Sequence, residues 1–139
     1  MRTCNFVLSS NDLQKLVPLL AYTEKTTGGF YEPHLAALST KLSMCRETGP
    51  VDVPADVVTM NSHMRLYDLM RRRVSDCALV YPCQEKSSLI QGSVLTPLGA
   101  NLLGVRAGDA VRFRVDGKLM QVQVQELLFQ PEAAGRFDL

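Results

Sequence analysis

Glu24 and Glu32 are the first pair of side chains whose type and spacing could do chemistry. They flank Thr26-Thr27-Gly28-Gly29, a run suited to a turn, and could approach each other across it. Two carboxylates at the end of a loop can hold magnesium, which takes oxygen ligands and keeps several of its waters. Against this, the spacing is loose and Lys25 brings an opposing charge. The plainer reading of Glu24, Lys25, Thr26, Thr27 and Glu32 is a pair of solvated helix ends. Arg71-Arg72-Arg73 is a second candidate. It reads either as a solvated hairpin tip or as a docking patch for an acidic protein surface or a phosphate backbone. No aromatic residue interrupts the run, so base recognition is not expected from it. A third candidate is the stretch Ser93, Leu95, Thr96, Pro97, Leu98 and Gly99. Its leucines suit a core helix, and a helix start at Thr96-Pro97 leaves N–H groups free for a partner.

The usual enzyme signatures are missing. There is no G-x-G-x-x-G after a strand, no Walker loop, no G-x-S-x-G and no H-E-x-x-H. His34 and His63 have no nucleophile partner or carboxylate at ligand spacing, and read as surface or capping residues. Cys4, Cys45, Cys77 and Cys83 form no C-x-x-C pair, and read as reduced thiols, some in the core. The 139 residues suit one domain or two small modules that support each other. A hydrophobic share of 46% and a charged share of 21% describe a globular chain rather than a disordered tail. No apolar run is long enough to cross a bilayer, and the first residues lack the pattern of a signal peptide, so the expected address is the cytoplasm. A net charge of +1 argues against holding nucleic acid by bulk attraction. The total divides into −1 over residues 1–56 and +2 over 57–139.

Two kinds of element must position these groups. Residues 1–49 carry helical periodicity, and 57–129 carry strand periodicity. Residues 5–8 suit a short extended arm, and Ser9 with Asp12 three residues on resembles a capping box. Leu13, Leu16, Val17 and Leu20 then form one apolar stripe, in which Pro18 should kink or split the helix. Pro33 opens a second helix with the seam Leu35, Leu38, Leu42 and Cys45. Together they predict an antiparallel helical hairpin, a short coiled coil. Residues 50–56, with Pro50 and Pro54, read as an extended linker.

Beyond it, Val57–Met60 and Met64–Tyr67 read as strands around an Asn61-Ser62 corner, and Cys77–Tyr81 as a central strand. Thr96 caps a short helix that starts at Pro97 and stops at Gly104. Asp116-Gly117 joins two alternating runs by a two-residue turn. That turn sets Val115 opposite Lys118, Phe113 opposite Met120 and Val111 opposite Val122. The class is α+β, a helical hairpin followed by an antiparallel sheet domain with one short helix.

The segment from Gly92 to Gly104, followed by Gly108-Asp109-Ala110-Val111, resembles the C-terminal signature of the Gre transcription factors. Asp56–Ser62, Leu79–Pro82 and Gln130–Gly135 resemble motifs of the regulator of nucleoside diphosphate kinase family within that superfamily. The resemblance implies an FKBP-like sheet domain over 57–139, carrying a coiled-coil finger over 1–49. It also implies binding to bacterial RNA polymerase at its secondary channel, with the loop before the short helix at the channel rim. Pro97 matches the docking proline, Thr96 replaces a serine, and Leu95 stands where Gre factors often carry an aspartate. Gre factors bear a D-x-x-E pair at the finger tip that holds magnesium for cleaving backtracked RNA. No such pair occurs between Thr23 and Glu32.

The expectation is therefore a monomeric, non-enzymatic regulator without cofactor or resident metal, bound to RNA polymerase and competing with Gre factors. It should not bind nucleic acid sequence-specifically or touch a membrane. The alternatives are transcript cleavage through Glu24 and Glu32, prolyl isomerisation suggested by an FKBP-like fold, or an adaptor that influences nucleoside diphosphate kinase.

Overall fold

The computed structural model describes residues 6–28, 32–82, 91–115 and 117–136. Cys4, Gly29, Cys83 and Asp116 lie outside them. Strand β1 (Val7–Ser9) leads into α1 (Ser10–Thr27), and α2 (Pro33–Met44) leads into β2 (Arg46–Thr48). β1 and β2 pair in parallel, Val7 beside Arg46 and Ser9 beside Thr48, so the two helices share a small sheet at their base. A 3₁₀ turn, Pro50–Asp52, precedes the main sheet. Its strands are β3 (His63–Asp68), β4 (Arg73–Val80), β5 (Gln91–Ser93), β6 (Ala110–Val115) and β7 (Lys118–Phe129), with α3 (Pro97–Leu102) between β5 and β6. The spatial order is β5-β4-β3-β7-β6.

Local chemistry accounts for the helix ends. The Ser9 hydroxyl accepts from the Asp12 N–H at 3.1 Å and caps α1. Gly28, at φ 73°, closes the same helix in the left-handed conformation. Pro18 does not split α1, which runs unbroken to Thr27. The carbonyl that Pro18 leaves unbonded belongs to Gln14, and both residues are exposed, so water can take the bond. Val17 departs from the expected stripe, being 54% exposed, while Leu16 and Leu20 are buried.

The β6–β7 hairpin has the register set by its turn, with Val115 opposite Lys118, Phe113 opposite Met120 and Val111 opposite Val122. Gly117 supplies the positive φ of 81° that this turn needs. Three other expectations are corrected. Residues 57–60 are not a strand; they hold one bridge, Val57 to Arg106. Their backbone groups are taken by other partners: Val58 N–H donates to Val105, Gly104 N–H donates to Val58, and the Asp12 carboxylate accepts from Met60 N–H. The Asn61-Ser62 corner is present, with Asn61 at φ 65°. The sheet is mixed rather than wholly antiparallel, since β5 runs parallel to β4. Residues 50–56 are not an extended linker. Pro50 starts the 3₁₀ turn, Val53 is buried, and the Gln130 amide donates to the carbonyls of Pro54 and Val57.

One buried cluster draws on both sides of residue 50. Leu8, Leu16, Leu20, Leu38 and Leu42 meet Met60, Met64, Leu79, Leu102 and Val124. Helices of this length are marginal alone in water, and this shared burial holds them.

Candidate functional site

The segment from Ser93 to Leu103 is built by short-range bonds. Ser93 ends β5, and its carbonyl accepts from the Thr96 N–H at 3.0 Å and from the Thr96 hydroxyl at 2.7 Å. The same hydroxyl oxygen accepts from the Gly99 N–H at 3.1 Å, so Thr96 caps α3 while tying it to the strand. The Ser93 hydroxyl accepts from the Leu95 N–H at 3.2 Å. Pro97 takes the first helical position, where its missing N–H costs nothing. Gly99 is required by contact: a Cβ there would collide with the Ser93 carbonyl oxygen. The loop before α3 is therefore held in one shape, with Leu95, Thr96, Pro97 and Leu98 half-buried.

Helix α2 fastens both ends of this segment. His34 Nε2 donates to the Leu95 carbonyl at 2.9 Å, which sets its tautomer. Lys41 Nζ donates to the carbonyls of Ala100, Asn101 and Leu103, at 3.0, 3.4 and 2.8 Å. These are the last carbonyls of α3, which a cation satisfies and which the helix dipole makes negative. The ammonium also lies 4.6 Å from the centre of the Phe6 ring. Burial pushes the Lys41 ammonium down from 10.5 to about 8. Periodicity gave no sign of either contact, because both join residues far apart in sequence.

The inner face of the sheet is open beside this loop. Leu66, Phe113, Val115, Met120 and Val122 floor a cavity of about 260 Å³, and Thr96, Pro97 and Leu98 form one wall. Asp68 and Ser75 complete the rim. Asp68 Oδ1 accepts from the Met70 and Arg71 N–H groups at 2.9 and 3.0 Å, shaping the β3–β4 turn that carries Arg71, Arg72 and Arg73. Arg72 sits at φ 55°, and all three arginines are exposed. The structure thus brings the Thr96-Pro97-Leu98 wall and the arginine tip to one flank of the sheet. The cavity floor was not foreseen, since which apolar strand residues lack cover depends on the packing of distant elements.

The finger-tip residues stand apart from this flank. Glu24, Lys25, Thr26 and Glu32 are exposed, and none lines the cavity. The Thr26 hydroxyl donates back to the Tyr22 and Thr23 carbonyls. Glu32 precedes α2 without a side-chain cap bond, its Oε2 lying 3.9 Å from His34 Nδ1. Nothing is described for the Thr27 side chain. Among the described residues no three His, Cys, Asp or Glu side chains gather as metal ligands would. Among the described residues no helix is long and apolar enough to cross a membrane.

A buried polar cluster joins α1 to the turn at 59–62. Asp12 is 1% exposed; Oδ2 accepts from Met60 N–H at 3.2 Å, and Oδ1 has no hydrogen-bond partner. Burial, then the nearby Glu132 carboxylate, pushes Asp12 up from 3.8 to about 7. Thr59 donates to Glu132 Oε1 at 2.6 Å and shares a hydroxyl contact with Ser62 at 2.9 Å. The cluster lies inside the fold and anchors α1.

With this geometry in hand, four likenesses bear on the site. Residues 53–128 match the model of the family described as "Transcription elongation factor, GreA/GreB, C-term". The protein named "Regulator of nucleoside diphosphate kinase" from Escherichia coli (strain K12) is 40% identical over 106 residues, 76% of this chain and 78% of that one. Its namesake from Shigella flexneri matches to the same extent. A solved structure, "Prokaryotic transcription elongation factor GreA/GreB from Nitrosomonas europaea", is 28% identical, with a TM-score of 0.71 over 89% of this chain and 98% of that one.

Proposed function

Since the chain belongs to the GreA/GreB family of transcription elongation factors, we propose that it binds bacterial RNA polymerase at the secondary channel without cleaving the transcript. It does so as a monomer in the cytoplasm. The FKBP-like sheet domain docks at the rim through Leu95, Thr96, Pro97 and Leu98, with Arg71, Arg72 and Arg73 beside them. The α1–α2 pair is the finger that enters the channel. The observation that carries this reading is the matched segment 53–128, which contains the rigid loop before α3 at the edge of an open apolar cavity. A rigid loop loses little entropy on docking, and that favours affinity.

The finger lacks the paired acids that hold magnesium in the cleaving Gre factors. Between Thr23 and Glu32 the only carboxylates are Glu24 and Glu32, on either side of the turn. The protein therefore occupies the channel without supplying a catalytic metal, and competes with cleavage factors for it. A backtracked-complex assay with magnesium tests this. The reading expects no cleavage above the polymerase's own rate; stimulation that disappears in Glu24→Ala would overturn the non-enzymatic assignment.

A further inference from the structure

Three stretches distant in sequence meet at the base of α1. They are Ser9–Asp12, the turn Thr59–Ser62 and residues 130–136 after β7. The last of these is pinned in place. The Gln130 amide donates to the Pro54 and Val57 carbonyls, its oxygen accepts from the Ala133 N–H, and the Arg136 N–H donates to the Pro131 carbonyl. Glu132 is thereby held against Thr59.

The hydrogen bonds in this cluster run in one direction. Ser62 Oγ accepts from the Thr59 N–H at 3.0 Å. The single hydroxyl proton of Thr59 goes to Glu132 Oε1, so Ser62 donates to Thr59 across 2.9 Å. The chain of donors ends on Glu132 as the acceptor, and Asp12 receives none of these protons. Asp12 Oδ2 has the Met60 N–H, while Oδ1, on a residue 1% exposed, has no hydrogen-bond partner.

We propose that Asp12 and Glu132 form a proton-controlled latch between α1 and the sheet domain. The latch is closed with one proton on Asp12 Oδ1. Oδ2 then keeps the Met60 N–H, and a neutral oxygen without a partner costs far less than a charged one. When the O–H bond breaks, the proton passes to water on the Glu132 side, where the cluster is half-buried. Two like charges are then confined in one closed site, and the first turn of α1 loosens from the 59–62 turn. The bonds of His34 and Lys41 to the Leu95–Leu103 segment lie outside the cluster, so α2 keeps its hold. The latch operates whether or not the chain binds polymerase.

The surroundings of Asp12 set where the latch opens. Burial, then Glu132 from the segment after β7, oppose its charge; the Met60 N–H, Lys15 one turn along α1 and the Ser9 hydroxyl favour it. Lys15 is drawn partly to Tyr81, its ammonium 5.8 Å from the ring centre. His63, next to the turn, packs instead on Phe129, with ring centres 5.5 Å apart. The opposing influences win and place the transition at about 7.

The test is a pH titration of the full chain by NMR, following the Asp12 carboxyl carbon and the Met60 amide. The proposal expects both to move with one midpoint near 7. Above it, the Asn11, Asp12 and Leu13 amides should gain mobility while Val122 and Val124 in β7 do not. Glu132→Gln keeps an acceptor for Thr59 but removes the second charge, and should lower the midpoint by about 1 pH unit. In Asp12→Asn the Met60 amide should stay in place at every pH. A midpoint near the ordinary value of about 4 would overturn the latch. So would a midpoint that Glu132→Gln leaves unmoved, or a Met60 response that persists in Asp12→Asn. The same Met60 shift on adding magnesium at fixed pH would overturn it too, and would make the two carboxylates a cation site. Glu132 is half-buried, so its variant stays informative if Asp12→Asn folds poorly.

Discussion

Met64 and Met120 lie on the same face of the same sheet, yet their surroundings differ. Met64 is fully buried, paired across strands with Cys77 and Leu127 in the cluster that α1, α2 and α3 help to close. Met120 is half-exposed, paired with Phe113 on the floor of the open cavity. The strands alternate in the same way at both ends, so alternation alone cannot say which end is core. Cover decides it. The closed end stabilises the fold, and the open end keeps apolar surface beside a rigid loop and uncommitted arginines.

The sharpest way to break this contrast is to make the same substitution at both ends. Met64→Ala should cost about 2–5 kcal/mol of unfolding free energy, as for other buried methionines. Met120→Ala should cost about 1 kcal/mol or less, because the site already touches solvent. Denaturant titration of the two variants checks both values, and equal losses would show that the cavity is not open in solution.

The closed end also holds a buried acid, and pH should reveal it. Asp12 is raised to about 7 in the folded chain, chiefly by burial. Between its unfolded value near 4 and about 7 the folded state binds more protons, so its contribution to stability is full below pH 4 and is lost as pH rises through 7. The loss amounts to about 4 kcal/mol. Asp12→Asn should remove it: near wild-type stability at pH 4, and greater stability than wild type at pH 8, measured by urea unfolding at both pH values. A constant difference between the two proteins would contradict the assignment.

Between the two ends stands the clamp on α3. Lys41→Met keeps the aliphatic stem but leaves three carbonyls without their donor, and should cost about 1–3 kcal/mol. His34→Ala should cost less in stability, yet loosen the Leu95 carbonyl and so the loop before α3. Faster amide exchange at Leu95 and Thr96 in His34→Ala would register that loosening. The smallest stability effect belongs to the arginine tip, where charge reversal should stay within about 0.5 kcal/mol of wild type in the same unfolding assay.

Legibility in the sequence follows the range of the forces involved. The β6–β7 register could be read because a two-residue turn and two alternating runs agree within a short stretch. The ends of α3 could be read because Thr96, Pro97 and Gly104 act on their own neighbours. Val57–Met60 misled, since an apolar run looks like a strand until Asp12 and Ser62 side chains claim its N–H groups. Residues 50–56 misled because the hold of Gln130 on Pro54 and Val57 spans more than 70 residues. Of the candidate site, the loop and the arginines are visible as residue types. The cavity floor and the His34 and Lys41 clamp were not, because they arise only when α2, α3 and the sheet meet.

The central claim is occupancy of the polymerase channel by a finger without catalytic acids. Its most direct test is displacement of a labelled Gre factor from purified bacterial RNA polymerase by this protein, with transcript cleavage followed in the same reaction. The account predicts that rising protein releases the Gre factor and lowers Gre-stimulated cleavage to the polymerase's own rate. No displacement at saturating protein would contradict it.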